Sequence, residues 1–217
     1  MKQVAQGIWK LSGFHRHAWN VYLAGDVLID AGTRWDRGRL LSQLRRQVVR
    51  TLTLTHCHPD HQGSAAYLCQ RLNIPLACHE ADVAAMEGRE RMHPRNRLLE
   101  LGEMFLAGPP HPVDHVLRNG DVIGDFRVVH TPGHTPGHVL YFRESDRTAI
   151  VGDLLVNINF LTGRIRVGIP PWFVSHDFRE HRMSVSRLLE LRPKLVLFGH
   201  GPASTDIKAM ARFALDG

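Results

Sequence analysis

Cysteine is scarce in this chain: 3 residues in 217, with no Cys-x-x-Cys pair among them. Such a set builds no disulfide framework, so a reducing, cytoplasmic setting is the expectation. No apolar run approaches the ~20 residues that cross a bilayer. The opening Met1-Lys2-Gln3-Val4-Ala5-Gln6-Gly7 has no apolar signal-peptide core. Neither a membrane partner nor a secretory precursor is expected. Lysine is confined to Lys2, Lys10, Lys194 and Lys208, so the net charge of +6 is carried by arginine. A nucleic-acid footprint gathers on one face. Here Arg37, Arg39, Arg45, Arg46 and Arg50 read as the solvated face of a helix. Arg89, Arg91, Arg95 and Arg97 form a second cluster in what reads as a loop insertion. A small-molecule substrate, not nucleic acid, is the expected partner. With 43% hydrophobic and 22% charged residues, no repeat and no linker, residues 1–217 read as one domain.

Short apolar runs alternate with turns along the first third. Val4 to Leu11, Val21 to Ala24 and Val27 to Ile29 read as strands. Asp36 to Gln47 carries Leu40, Leu41 and Leu44 at helical spacing. Val48 to Thr55 reads as a strand, His61 to Leu72 as a helix, Ile74 to Cys78 as a strand and Ala81 to Glu87 as a short helix. Residues 89–112 are rich in Arg, Pro and His, with a helical stretch around Leu99, Met104 and Phe105, and make a candidate lid. Phe126 to His130, Val139 to Phe142 and Thr148 to Val151 read as strands. After an irregular Gly152 to His176 come an amphipathic helix, Phe178 to Leu191, and a strand, Leu195 to Phe198. Alternating strands and helices in both halves argue an α/β layered domain.

Histidine is the abundant residue, 15 in all. The strongest motif is Thr55-His56-Cys57-His58-Pro59-Asp60-His61, after an apolar strand and before a helix. His56 and His58 are two apart, so an extended backbone points both rings to one side. Asp60 and His61 follow where the chain turns into the helix. Imidazoles and a carboxylate this close suit Zn²⁺ or a similar borderline metal. Cys57 points the other way and reads as packing. A second motif, His130-Thr131-Pro132-Gly133-His134-Thr135-Pro136-Gly137-His138, sends a strand into two tight turns. His134 is its best ligand candidate. Asp153, after Val151-Gly152, and His200, after Phe198-Gly199, are polar ligand types closing apolar strands. Each is a weak signal alone; in this order they are specific together.

That order resembles the metallo-β-lactamase superfamily over nearly the whole chain, including Asn20-Val21-Tyr22-Leu23 and Leu28-Ile29-Asp30-Ala31-Gly32 as its opening strands. The resemblance implies an αββα sandwich with the metals at one edge of the two sheets. It implies that His56, His58 and His134 hold a first metal, and that Asp60, His61 and His200 hold a second. Asp153 would bridge them and Asp30 would buttress the His-rich loop. Two Zn²⁺ per chain are implied, with iron or manganese as compatible alternatives. A bridging hydroxide would attack the substrate, with Asp60 as the catalytic group that orients it and accepts its proton. A homodimer is compatible with the resemblance.

The electrophile is narrowed by departures from particular members. β-Lactamases of the superfamily generally lack the bridging Asp that Asp153 resembles. Hydroxyacylglutathione hydrolases resemble this chain in all seven ligands. However, Leu154-Leu155-Val156-Asn157 replaces their Gly-Cys-Gly-Arg type segment, and the residues after His200 are too few for their helical C-terminal domain. Nuclease members carry large insertions for which the stretch between Asp153 and His200 has no room. The expectation is hydrolysis of a small ester, thioester or lactone, with a phosphodiesterase or ribonuclease and an iron-dependent persulfide dioxygenase as rivals. Asn157, Phe160, Trp172, Phe173 and His176 are the candidate substrate contacts, with loop packing as the alternative for each.

Overall fold

In the computed structural model of the chain, residues 1–13 and 18–214 are described. Two sheets face one another, and strict alternation along their strands explains why. The first sheet runs in sequential order: β1 (Lys2–Ala5), β2 (Ile8–Lys10), β3 (Tyr22–Ala24), β4 (Val27–Ile29), β5 (Thr51–Thr53), β6 (Leu76–His79) and β7 (His115–Leu117). The second comprises β8 (Val122–Ile123), β9 (Phe126–His130), β10 (Val139–Arg143), β11 (Thr148–Ile150) and β12 (Leu195–Leu197), running from β12 at one edge to β8 at the other.

Tyr22, Val27, Ile29 and Ala77 of the first sheet meet Phe126, Val128, Val139, Tyr141 and Ile150 of the second in the central core. The intervening residues point outward, as the two-residue period of a strand requires. Leu23, Leu28, Leu52 and Leu76 pack under α1 (Arg37–Leu44) and α3 (Ala65–Leu72) through Leu40, Leu44 and Leu68. Leu140, Phe142, Ala149 and Val196 pack under α6 (Phe178–Glu190) through Val185 and Leu188, and under α7 (Ile207–Ala211) through Met210. The layers are therefore helix, sheet, sheet, helix. No helix among the described residues is long and apolar enough to cross a membrane.

Several elements differ from their sequence readings, for local reasons. The strand read over Val4 to Leu11 is a hairpin, β1 to β2, turned at Gly7 with φ 67°. The helix read over His61 to Leu72 is two: α2 (Pro59–Gln62) and α3, divided at Gly63-Ser64. A Cβ on Gly63 would lie 2.4 Å from the Arg34 nitrogen, so the chain bends there to let two backbones touch. The Ala81 to Glu87 helix is a 3-10 turn over Glu80–Asp82 followed by α4 (Val83–Met86). In the candidate lid, α5 spans Arg97–Leu106, with Asn96 capping it by accepting from the Leu99 N–H. The short β7, β8 and α7 were not foreseen.

Strands β4 to β7 run parallel, as do β11 and β12. Polar loops leave their carboxyl ends at one edge of the sandwich, where open α/β sheets place their sites.

The two sheets also meet at His79 and His130, whose rings stack 4.0 Å apart and 12° from parallel. Burial, reinforced by His130, holds the His79 ring down at about 4. A folded value below the unfolded one contributes stability at neutral pH that is lost as pH falls from ~6.5 to about 4. His79→Asn should therefore lose roughly 1–2 kcal/mol less stability than the parent between pH 7 and 5. Urea midpoints at both pH values measure this; equal losses would show that His79 is not held neutral.

Candidate metal centre

The Thr55 to His61 loop leaves β5 and enters α2. Three contacts fix its path. The Asp30 carboxylate, just beyond β4, accepts from the Thr55 backbone N–H at 2.8 Å and from the Thr55 hydroxyl at 2.9 Å. Asp30 itself sits at φ 64°, a left-handed conformation uncommon outside glycine and tolerated where the surroundings demand it. On the opposite side, buried Asp82 accepts from the Cys57 N–H (3.0 Å), the Gly137 N–H (2.8 Å) and the Thr135 hydroxyl (3.0 Å). It thereby ties the loop to the β9–β10 connection that carries His134. Cys57 is in the core under α3.

The seven sequence-predicted ligand residues come together at the sheet edge. His56, His58 and His134 form one group of donor atoms, His56, His61 and Asp153 another, and Asp60, His61 and His200 a third; within each the atoms lie within 4.8 Å of one another. His134 Nε2 is 3.0 Å from His58 Nδ1 and 3.6 Å from Asp153 Oδ2. His200 Nε2 is 3.0 Å from Asp153 Oδ2 and 3.3 Å from Asp60 Oδ2. His61 Nε2 is 3.4 Å from Asp153 Oδ1 and 3.4 Å from His200 Nε2. Six of the seven are buried; the Asp60 side chain keeps 25% exposure.

The far nitrogen of each ring is engaged outside the cluster, so its lone pair is aimed inward. His61 Nδ1–H donates to Asp30 at 2.9 Å, and His58 Nε2–H to the His93 carbonyl at 2.5 Å. His56 Nδ1 meets the Thr55 hydroxyl at 3.1 Å and His200 Nδ1 the Ala18 carbonyl. His138 is not in the cluster. It accepts from the Asp153 N–H at 3.1 Å through Nε2 and is held by the Thr131 hydroxyl at 2.8 Å.

Among the described residues, two buried atoms in the cluster, His56 Nε2 and Asp153 Oδ1, have no hydrogen-bond partner. An unsatisfied buried polar atom costs ~1–3 kcal/mol. A cation would turn both into ligands, and imidazole with carboxylate suits a divalent transition metal. Electrostatics agree. Burial, with neighbouring rings adding to it, holds His56 and His134 well below the ordinary imidazole value, in the neutral form that binds metal. Burial also opposes charge on His61 and His200, but Asp153 with Asp60, and Asp30 at His61, outweigh it and hold both rings up. Burial would raise Asp153, yet His200 and His61 hold it well below the carboxylate range. Positive charge beside Asp153 is thus favoured, and a bound cation would supply it.

The candidate substrate residues divide. Asn157 is buried, its side-chain amide donating to the Pro202 carbonyl at 2.9 Å and its backbone N–H to the His200 carbonyl at 2.8 Å. Phe160 is exposed with its ring edge-on to His200 at 5.0 Å. Trp172 and Phe173 are exposed on a 3-10 turn, and the Phe173 carbonyl accepts from Asn96 at 2.7 Å. His176 is exposed, 4.6 Å from the His93 ring, and its N–H donates to the His134 carbonyl at 3.0 Å. The 89–112 segment thus adjoins the site, and three of its four arginines are engaged: Arg89 by Glu87, Arg91 by Glu100 and Arg95 by Glu90.

Sequence reasoning missed Asp82, Ser175 and His181. His181 carried a readable signal, since with Ser184, Val185 and Leu188 it follows the helical spacing of the buried face of α6. Asp82 and Ser175 carried none.

The Metallo-beta-lactamase superfamily profile matches residues 20–200. The chain belongs to the metallo-beta-lactamase superfamily. It is 28% identical to "Probable metallo-hydrolase YybB" of Bacillus subtilis, covering 85% of this chain and 80% of that one. Against "Hydroxyacylglutathione hydrolase GloC" of Haemophilus influenzae it is 28% identical, over 72% of this chain and 71% of that one. A solved structure, TTHA1623 in a di-iron-bound form, superposes with a TM-score of 0.69 at 29% identity, covering 90% of this chain and 93% of that one. This member is a metal-dependent hydrolase with a His/Asp metal-binding cluster.

Gly199 supplies a test of the geometry. A Cβ there would lie 2.4 Å from Asp153 Oδ1 and 2.8 Å from His61 Cε1, so the residue before His200 must be glycine for those ligands to converge. Gly199→Ala should lose metal while keeping its far-UV circular dichroism. Asp30→Ala, which frees the His61 ring, should weaken metal binding roughly 10–100-fold. Chelator competition reads both; unchanged affinity in either would refute the packing argument.

Proposed function

We propose that the chain is a dinuclear zinc hydrolase acting on a small ester, thioester or lactone. The observation that carries this reading is the interlocking of three donor groups around Asp153. His56, His58 and His134 would hold one metal and Asp60, His61 and His200 the other, with Asp153 between them. Bound there, two divalent cations would depress the pKa of water to near neutrality and polarise an acyl carbonyl.

The chain's own residues supply the rest. Asp60 is the most accessible of the seven, at 25%, so its carboxylate is placed to meet solvent and take a proton from the attacking water. Asp30, Thr55 and the His93 carbonyl hold the rings so that no reorganisation is needed when charge develops. The two carboxylates, Asp60 and Asp153, offset only part of the charge of two divalent ions, leaving a centre that attracts electron-rich carbonyl oxygen. Segment 89–112, attached through the His93 carbonyl, is proposed to shield that centre. The GloC relative favours a thioester within this class. Arginines already engaged by glutamates favour a small substrate over RNA.

Iron is the second reading for the metal, favoured by the di-iron form of TTHA1623. The second donor group, Asp60, His61 and His200, speaks for a hydrolase over a mononuclear persulfide dioxygenase.

Mass-spectrometric metal analysis of the purified protein, run with thioesters, lactones and phosphodiesters, tests the reading. Two zinc equivalents and hydrolysis of a thioester or lactone are expected. Asp153→Ala should lose metal and roughly 10³-fold or more in kcat/KM, whereas His176→Ala should keep its metal and change KM or kcat. One iron equivalent with oxygen consumption on a persulfide, or full activity in Asp153→Ala, would sink it.

A further inference from the structure

The outer helix α6 reaches the metal centre through two buried side chains that no ligand motif contains. His181, in its first turn, lies 2.9 Å through Nε2 from the Leu154 carbonyl and 3.0 Å through Nδ1 from Ser175 Oγ. Ser175 Oγ lies 3.4 Å from His134 Nδ1. All three side chains are buried.

The proton positions follow from one end. A carbonyl only accepts, so His181 Nε2 carries the hydrogen. In the neutral imidazole that leaves Nδ1 as an acceptor. The Ser175 hydroxyl must then donate to His181, which leaves its oxygen lone pairs to accept from His134 Nδ1–H. His134 is thereby left with its Nε2 lone pair facing His58 and Asp153. The wire begins at the carbonyl of Leu154, the residue after Asp153, and ends on His134, so it links the backbone beside one candidate ligand to another on a different loop.

The surrounding backbone is fitted to this arrangement. The His176 N–H donates to the His134 carbonyl (3.0 Å) and the Asp177 N–H to the Gly133 carbonyl (2.8 Å). The Ser184 hydroxyl donates to the Pro132 carbonyl at 2.7 Å. A Cβ on Gly133 would lie 2.0 Å from the His181 nitrogen, so the ligand loop and α6 are in direct backbone contact.

We propose that Ser175 and His181 are positioning residues that fix the tautomer and direction of His134 for the metal centre. The assignment rests on the dinuclear reading for the role of His134. It acts through hydrogen bonding alone, and neither residue touches substrate.

Long-range ¹H–¹⁵N correlation of ¹⁵N-histidine-labelled protein, as purified, tests it. His134 should carry its hydrogen on Nδ1 and His181 on Nε2; the opposite tautomer on either ring overturns the proposal without any variant. Zinc affinity by chelator competition gives the second readout. Ser175→Ala and His181→Phe should each weaken the site that contains His134 roughly 10–100-fold, and Ser175→Thr should stay within about 3-fold of the parent. The double variant should lose no more than the worse single, because both break one wire. Parental affinity in both singles, or losses that multiply in the double, would refute it. Neither measurement uses a substrate. A protein that passes both yet cleaves none of the esters would reject the hydrolytic reading and leave the wire standing.

Discussion

An imidazole has two nitrogens, and only one can face a metal; the other has to be given a partner, because in a buried site water cannot supply one. Most of the local structure around the cluster follows from that requirement. Thr55, the His93 carbonyl, Asp30, Ser175 and the Ala18 carbonyl each take the outward nitrogen of one ring. These partners lie on separate segments of the chain, so the cluster exists only once both sheets and their connecting loops are in place. The site is a product of the tertiary fold even where its ligands are close in sequence.

The sandwich makes this convergence affordable. Parallel pairing of β4, β5 and β6 sends Asp30 and the His-rich loop out of the same edge, and β11 beside β12 does the same for Asp153 and His200. The central core of Tyr22, Phe126 and Tyr141 sets the sheets face to face, and the polar edge sits beyond it. Tyr141 spans the gap, its hydroxyl donating to the Leu54 carbonyl at 2.6 Å and lying 2.7 Å from the Thr53 hydroxyl, one strand-end short of His56. Glycine clears the last obstruction where Asp153 and His61 crowd the backbone before His200.

His56, Asp153 and His200 were legible in sequence as ligand candidates because each follows an apolar strand. A histidine or aspartate after Leu-Thr-Leu-Thr, Ile-Val-Gly or Leu-Phe-Gly has no packing reason to be there. The strands themselves were legible where a short apolar run is set off by turn residues, as in Val27 to Ile29 after Gly25-Asp26. The break at Gly63 was hidden, because His61, Ala65, Leu68 and Leu72 keep helical spacing across it and the cause is a distant backbone, that of Arg34. The partners of the rings were hidden for a different reason. Two of them, at Ala18 and His93, are carbonyl oxygens, which every residue has, and Ser175 looks like any loop serine until α6 is folded against it.

The His93 carbonyl has a thermodynamic meaning beyond holding a ring. It belongs to the 89–112 segment, whose other attachments include those to Arg34, Trp35 and Phe173. With the centre loaded as proposed, the segment's docking and the metal's affinity become linked equilibria, and linkage is reciprocal. Whatever lifts the segment deprives His58 of its acceptor and loosens the metal; a bound metal, by the same factor, holds the segment down. The proposed cover and the proposed ion would then be two ligands of one another.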